Sequence, residues 1–203
     1  MASKYQLVSS DFYYPNSDIP KNKFDIQDTA TIHEIEKELF EEAYAIFYDE
    51  VHEDIQFDEN YFISLHKRTF ENLYDWAGKF REFNMAKGES RFCQGEFIVT
   101  SSKKIFNELK QDNFLKDFEN KPKKEFAKKL AYYKCEIIAL HPFYELNGRV
   151  TRMFFDMIVA YNGYNFLDYT TISAKEYIDS SIDCVQFADS QTLEKIIYDG
   201  LHK

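Results

Sequence analysis

The sequence predicts a mainly α-helical protein, a bundle of about seven helices with one β-hairpin. Apolar residues recur at helical spacing along most of the chain. Only six glycines and four prolines occur in 203 residues, which favours long helices over a turn-rich β fold. The length and an apolar content of 44% suit one domain over residues 1–203 with a sizeable core.

Each predicted helix combines an apolar stripe with a polar start. Asp28 or Thr29 can cap the first helix, Asp58 can cap the second, and Ser173 opens a capping box. Gly163 is a suitable residue just beyond the end of another helix. The stretches with helical spacing are 29–49, 58–74, 100–118, 123–140, 148–161, a segment that begins after Ser173, and 190–201.

Two regions lack this helical spacing. Residues 1–28 are polar and aromatic, and we predict irregular structure that wraps the core. Residues 75–98 contain phenylalanines on both sides of the polar turn 86–90, which indicates a β-hairpin. Gly78 is expected to terminate the preceding helix. From the pattern alone, a plain exposed hairpin is as good an interpretation as a functional flap.

Charge and composition exclude several classes of protein. The net charge of −10 argues against nucleic acid or an acidic membrane as a partner. No apolar run approaches the length of a membrane span. The three cysteines lack metal-ligand spacing, and we predict reduced thiols and a cytoplasmic location. Outside the motif discussed next, three histidines are predicted to be solvated surface residues: His33, His52 and His66.

The stretch 141–152 has the pattern of a base beside an anion site. An apolar segment leads to His141, the residue type that can accept a proton near neutral pH. Pro142 favours a loop at this point, and Asn147 and Gly148 tolerate strained backbone. A new helical stripe follows, so the N–H groups of a helix N-terminus are available to an anion.

Charged side chains of the same stretch support this interpretation. Arg149 and Arg152 are three residues apart and share one face of the first helical turn. Cations at a helix N-terminus are disfavoured by the macrodipole, so a bound phosphate would explain them. Glu145 supplies the hard oxygen ligand that Mg²⁺ prefers. As an alternative, His141 could cap its helix and the arginines could form a solvated face.

Residues 141–152 resemble the active-site motif of the Fic (filamentation induced by cAMP) family, His-Pro-Phe-x-Asp/Glu-Gly-Asn-Gly-Arg-x-x-Arg. Eleven of the twelve positions fit, and Leu146 stands where the family usually has Gly or Ala. Residues 75–98 resemble the flap of that family, and residues 14–26 are similar to its lead-in segment. The resemblance implies a Fic-type helical bundle.

The resemblance also implies a protein adenylyltransferase, which moves AMP from ATP to a Tyr, Ser or Thr hydroxyl of a target protein. The flap would hold the target segment as an added strand, with Lys87, Gly88 and Arg91 as flap residues. The implied roles are general base for His141, charge stabilisation for Asn147 and Gly148, phosphate binding for Arg149 and Arg152, and Mg²⁺ binding for Glu145.

Leu146 and Gly148 bear on activity and on the donor. A positive φ at Leu146 would cost about 1–2 kcal/mol, but its side chain can pack inward and leave the loop N–H groups in place. The Doc branch of the family has Lys at the position of Gly148 and transfers phosphate, so Gly148 favours AMP transfer. Two alternatives stay open: a binding module with a degenerate site, and an enzyme that uses another nucleotide or phosphate-containing donor.

Many Fic proteins carry an inhibitory helix with Ser/Thr-x-x-x-Glu-Gly/Asn. The segment Ser190 to Glu194 has this spacing, but Lys195 follows and Ser190 is better interpreted as a helix N-cap. We therefore expect restraint by a separate small antitoxin protein.

Overall fold

The computed structural model describes Tyr5 and residues 12–203. The predicted wrap over residues 1–28 therefore lies partly outside the described residues, and the part from residue 12 onward is irregular as predicted. Seven helices and one small antiparallel sheet follow, which confirms the predicted fold class. The helices are α1 (Thr29–Asp49), α2 (Glu59–Phe70), α3 (Ile98–Gln111), α4 (Lys123–Leu140), α5 (Asn147–Tyr161), α6 (Ala174–Phe187) and α7 (Gln191–Gly200).

Helices α4 and α5 form the centre of the bundle. Helix α4 packs against α3, α5, α6 and α7, and α5 also packs against α1 and α2. Helix α5 is apolar around much of its circumference, since it buries Val150, Met153, Phe154, Phe155 and Met157 among others. The loop between these two helices, residues 141–146, is therefore fixed by the core at both of its ends.

Side-chain caps explain several helix starts. The Asp28 carboxylate accepts a hydrogen bond from Thr31 N at 2.8 Å, and Asp58 does the same for Tyr61 N at 2.8 Å. At α6, Ser173 and Glu176 form the predicted capping box. Ser190 occupies the N-cap position of α7, although its side chain makes no capping hydrogen bond.

Three predicted helix boundaries were wrong. Helix α2 ends at Phe70, so Gly78 does not terminate it; the N–H of Gly78 instead donates to His66 Nδ1 at 2.9 Å. Helix α3 begins at Ile98 and ends at Gln111, whereas the predicted range was 100–118. Three consecutive residues beyond it, Asn113–Leu115, have positive φ angles of 49°, 54° and 58°, which no helix can continue through.

The predicted hairpin is present but short. Strand β1 (Ala86–Lys87) pairs with β2 (Ser90–Arg91), with Ala86 opposite Arg91 and Lys87 opposite Ser90. Gly88 in the turn has φ of 58°, a conformation that glycine adopts without strain. From residue 75 to residue 97 the remainder is irregular apart from an isolated bridge of Phe80 to Phe143 and a 3₁₀ turn at Gly95–Phe97, and Ile98 begins α3.

The prediction that all three cysteines are reduced thiols was wrong. Cys135 in α4 and Cys184 in α6 form a disulfide, with their Cα atoms 5.1 Å apart, and Cys93 is free. The two cysteines are 49 residues apart, and only the packing of α6 on α4 brings them together. Among the described residues, no helix is both long enough and apolar enough to cross a membrane.

Candidate functional site

His141 lies at the C-terminal end of α4 with a left-handed backbone (φ 44°, ψ 58°). Pro142 cannot continue the helix, so the chain turns there. The imidazole stacks on the Phe92 ring, with centroids 3.8 Å apart and planes at 14°. Its Nε2 lies 3.2 Å from the hydroxyl of Tyr5. The imidazole is thus held in one orientation by the flap and by the N-terminal segment.

Asn147 fixes the shape of the loop that follows. Its Oδ1 accepts from Phe143 N at 2.8 Å, and its Nδ2 donates to Phe143 O at 2.9 Å. Phe143 is fully buried and stacks on Phe62 of α2. The Asn147 amide therefore holds the loop backbone, which is a positioning contact rather than one with a ligand.

The first turn of α5 provides an anion site. Val150 N donates to Leu146 O at 3.1 Å, so the N–H groups of Asn147, Gly148 and Arg149 precede the first helical hydrogen bond. A Cβ placed on Gly148 would meet nothing within 4 Å, so the space beside its backbone is open. A phosphate group could approach this backbone closely.

Leu146 has a left-handed backbone conformation, which is strained for a leucine. Its φ is 66° and its ψ is 11°, in the left-handed region. Its side chain packs into the hydrophobic core with 8% of its surface exposed. The N–H of Leu146 donates to Glu145 Oε2 at 3.3 Å. As anticipated, the leucine packs inward and leaves the start of α5 intact.

The two arginines have different surroundings. Arg149 Nη1 lies 3.2 Å from Glu36 Oε2, and Glu36 Oε1 accepts from the Tyr74 hydroxyl at 2.7 Å. Glu36 is buried, so this ion pair holds Arg149 in place. Arg152 instead lies over two rings, 4.6 Å from the centroid of Tyr169 and 5.6 Å from that of Tyr177.

Glu145 is buried and bonded through its side chain and its backbone. Its Oε1 accepts from the Tyr13 hydroxyl at 3.1 Å, and its carbonyl oxygen lies 3.1 Å from His66 Nε2. Burial first, and the Glu145 charge second, raise the pKa of Tyr13, so its phenol stays a hydrogen-bond donor. In the part of the chain that the structure describes, no group of three or more His, Cys, Asp or Glu side chains forms a metal cluster.

The prediction that His66 is a solvated surface histidine was wrong, whereas His33 and His52 are exposed as expected. His66 is fully buried beneath the motif loop, between Glu145 O and Gly78 N. Since Gly78 N–H donates to Nδ1, the proton must be on Nε2. His66 is four residues after the buried Phe62, and this spacing could have indicated its burial.

The burial of His66 makes stability depend on pH. Burial lowers the pKa of His66 to about 4, against about 6.5 in the unfolded chain. The unfolded state therefore binds more protons between these values, and stability falls as pH drops from about 6.5 to about 4. We expect titration of His66 to lower the free energy of unfolding by about 3 kcal/mol over this range. Urea unfolding across that pH range, compared between wild type and His66→Gln, measures it.

Glutamine can donate to Glu145 O and accept from Gly78 N without titrating. The unfolding free energy of the variant should therefore change less than that of the wild type between pH 6.5 and about pH 4. The carboxylates titrate equally in both proteins and cancel in the difference. If the unfolding free energies of the two proteins fell equally with pH, the pH dependence could not be assigned to His66.

The predicted flap residues lie on two sides of the hairpin. Lys87 and Gly88 line the main cavity described below, whereas Arg91 lines a second cavity of about 650 Å³ with Phe92, Phe97 and Glu136. The flap base is attached to the motif by Arg81, which is 1% exposed. Its guanidinium donates to His141 O at 2.8 Å, Phe83 O at 2.5 Å and Cys93 O at 2.6 Å.

The main cavity has a volume of about 1140 Å³ and is lined by residues of the motif loop, the start of α5 and the flap. One wall is polar and contains His141, Glu145, Gly148 and Arg149. Another part of the lining is mainly apolar and belongs to α4 and α6; it contains Ile138, Tyr177, Ile178, Ile182 and Val185. A cavity of this size, lined by both charged and apolar side chains, suits a ligand that has both a phosphate chain and a flat ring.

Sequence reasoning missed several residues of this site. Glu36 was detectable, because it lies on the buried stripe of α1 between Ile32 and Ala43, where a carboxylate needs a partner. Tyr5, Tyr13 and Arg81 gave no such signal, because their contacts depend on segments far away in the chain.

Known proteins are similar to this chain both in sequence and in structure. The model of the Fic/DOC family matches residues 56–159. The "Probable protein adenylyltransferase y4lH" of Sinorhizobium fredii is 32% identical over 88% of this chain and 90% of its own. The "Probable protein adenylyltransferase Fic" of Escherichia coli is 32% identical over 50% of this chain and 49% of its own, so the match spans about half of that relative.

Among solved structures, the BepC protein of Bartonella tribocorum, a VirB-translocated effector crystallised with bound AMPPNP, superposes with a TM-score of 0.79. It is 25% identical to this chain, and the alignment covers 94% of this chain and 96% of that one.

Proposed function

Because this chain belongs to the Fic/DOC family, we propose that it is a protein adenylyltransferase that transfers AMP from ATP to a hydroxyl of a target protein. One observation carries the proposal: His141, a base, and the N-terminus of α5, an anion site, open into the same cavity. The names of the relatives and the AMPPNP in the BepC crystal support it.

The chain's own residues account for the transfer. His141 Nε2 takes the proton of the target hydroxyl, and that oxygen attacks the α-phosphate. Backbone N–H groups at Gly148 stabilise the charge that develops there, while Asn147 keeps the loop in shape. Arg149, held by Glu36, binds the outer phosphates of the leaving pyrophosphate. Arg152 can bind the same phosphates once its side chain leaves the rings of Tyr169 and Tyr177.

Glu145 fits a magnesium site. Its carboxylate lines the cavity on the phosphate side, and a single protein carboxylate together with phosphate oxygens and waters is a usual Mg²⁺ environment. The ion would neutralise phosphate charge when bound. We propose Glu145 as its protein ligand.

The flap is proposed to bind the target. The edge of the short hairpin can accept a target segment as an added strand, with Lys87 and Gly88 facing the cavity and Arg91 facing outward. We further propose one domain over residues 1–203, a cytoplasmic location where ATP is available, and restraint by a small antitoxin protein. Nucleic acid and membranes are not proposed as partners.

The direct test uses ATP labelled at either the α- or the γ-phosphate, with Mg²⁺ and a bacterial lysate. AMP transfer puts the α-label, and not the γ-label, on protein. A γ-label on protein would mean phosphate transfer, as in the Doc branch. ATP binding without either label would favour another donor or restraint. Absence of ATP binding, measured by calorimetry, would favour the degenerate binding module.

Leu146→Gly separates an active site from a degenerate one. The change relieves about 1–2 kcal/mol of backbone strain but removes a buried leucine worth about 1.5–3 kcal/mol. We expect a net loss of about 1 kcal/mol of unfolding free energy and little change in ATP affinity. Chemical denaturation and calorimetry measure the two quantities. A tenfold or greater gain in ATP affinity would show that Leu146 disables the site.

A further inference from the structure

The hydroxyl of Tyr5 stands where the proposed reaction needs an acceptor. It lies 3.2 Å from His141 Nε2, which is within hydrogen-bond reach of the base. The ring is 6% exposed and is held by edge contacts, with centroids 5.6 Å from His141 and 6.4 Å from Phe92. A target tyrosine would have to place its own hydroxyl at the same nitrogen.

Tyr5 also faces the space assigned to the nucleotide. It lines the main cavity together with Gly148 and Arg149, the residues of the anion site. Tyr13 provides an internal comparison, since its hydroxyl is bonded to Glu145 Oε1 at 3.1 Å and thus contacts the carboxylate rather than the base. Position relative to His141 therefore favours Tyr5 as a nucleophile.

A phenol is neutral at physiological pH, so Tyr5 becomes a nucleophile only when a base takes its proton. His141 Nε2 lies within hydrogen-bond distance of its hydroxyl and can act as that base.

We propose that Tyr5 is itself an acceptor of AMP, so that the chain modifies its own N-terminal segment; this proposal rests on the proposed adenylyltransferase function. Tyr5 Oη forms a bond to the α-phosphorus of ATP, and the bond from that phosphorus to the bridging oxygen of the β-phosphate breaks. Pyrophosphate leaves with the bonding electron pair. The phenolic proton goes to His141 Nε2. Modification of Tyr5 and of a target protein then compete for the same base.

The test uses the full chain with Mg²⁺ and α-labelled ATP, first alone and then with lysate. Mass spectrometry of wild-type peptides locates the label, which we expect on Tyr5. Self-labelling should fall about tenfold or more in Tyr5→Phe, and labelling of lysate proteins should rise. Tyr14→Phe is the matched control, because its hydroxyl accepts from Asn22 N at 3.4 Å, away from His141. Since the contact is intramolecular, the labelled fraction per minute should not depend on chain concentration.

The outcomes separate the two proposals. Label on lysate proteins without label on Tyr5 overturns self-modification and leaves the adenylyltransferase proposal standing. A rise in lysate labelling in Tyr5→Phe, with no AMP on wild-type Tyr5, makes Tyr5 a plug of the site and also overturns its role as acceptor. Label on no protein, from a chain that binds ATP and is purified free of any restraining partner, overturns both proposals.

Discussion

Replacing His141 by alanine is expected to lower the rate of AMP transfer by about 10²–10⁴-fold. The imidazole lines the main cavity with its Nε2 3.2 Å from the Tyr5 hydroxyl, and alanine has no atom there to take a proton. ATP affinity should change little, because the anion site is made by the start of α5 and by Arg149. Initial rates with α-labelled ATP and calorimetric binding constants measure the two quantities.

Two further variants make this result specific. His141→Asn keeps a residue type that tolerates the left-handed backbone, so its loss of rate cannot be assigned to a distorted loop. His52→Ala removes an exposed histidine and should leave the rate unchanged. A His141→Asn protein with more than a tenth of the wild-type rate would exclude His141 as the general base.

Arg81→Met is expected to cost about 3 kcal/mol of unfolding free energy or more. The guanidinium is buried and donates to the carbonyls of His141, Phe83 and Cys93, and methionine fills similar space without donating to any of them. Burial lowers the pKa of Arg81 to about 10, so the side chain is still charged at pH 7. Thermal unfolding should show a midpoint about 6–12 °C lower.

Comparison variants show how the cost arises. Arg81→Lys keeps a charge but loses the planar fork, and its stability should lie between wild type and Arg81→Met. Arg91→Met changes an exposed arginine of the same hairpin and should stay within about 0.5 kcal/mol of wild type. If Arg81→Met were as stable as Arg91→Met, the carbonyls must find other donors.

The helices and the motif loop were predictable because their causes are local. Asp28, Asp58 and Ser173 cap the helices that follow them, and Pro142 ends α4 whatever surrounds it. At Leu146 the sequence indicated that a positive φ would be strained and that the side chain could pack inward, and the structure has both the positive φ and the inward side chain.

The rest of the site depends on contacts between distant segments. Arg152 was predicted to share a ligand with Arg149, but the rings of Tyr169 and Tyr177 hold it elsewhere in this structure. Arg81 and the bridge between Phe80 and Phe143 hold the base of the flap against the motif loop. Neither contact leaves a trace in local periodicity.

The disulfide between Cys135 and Cys184 turns the middle of the chain into a covalent ring. This ring contains His141, the motif loop and all of α5. Closing a loop of 49 residues reduces the entropy of the unfolded chain by an amount worth about 4 kcal/mol. A single cut of the backbone inside the ring leaves two pieces that separate only after reduction. Reductant can therefore weaken the framework of the catalytic motif without reacting with any residue of that motif.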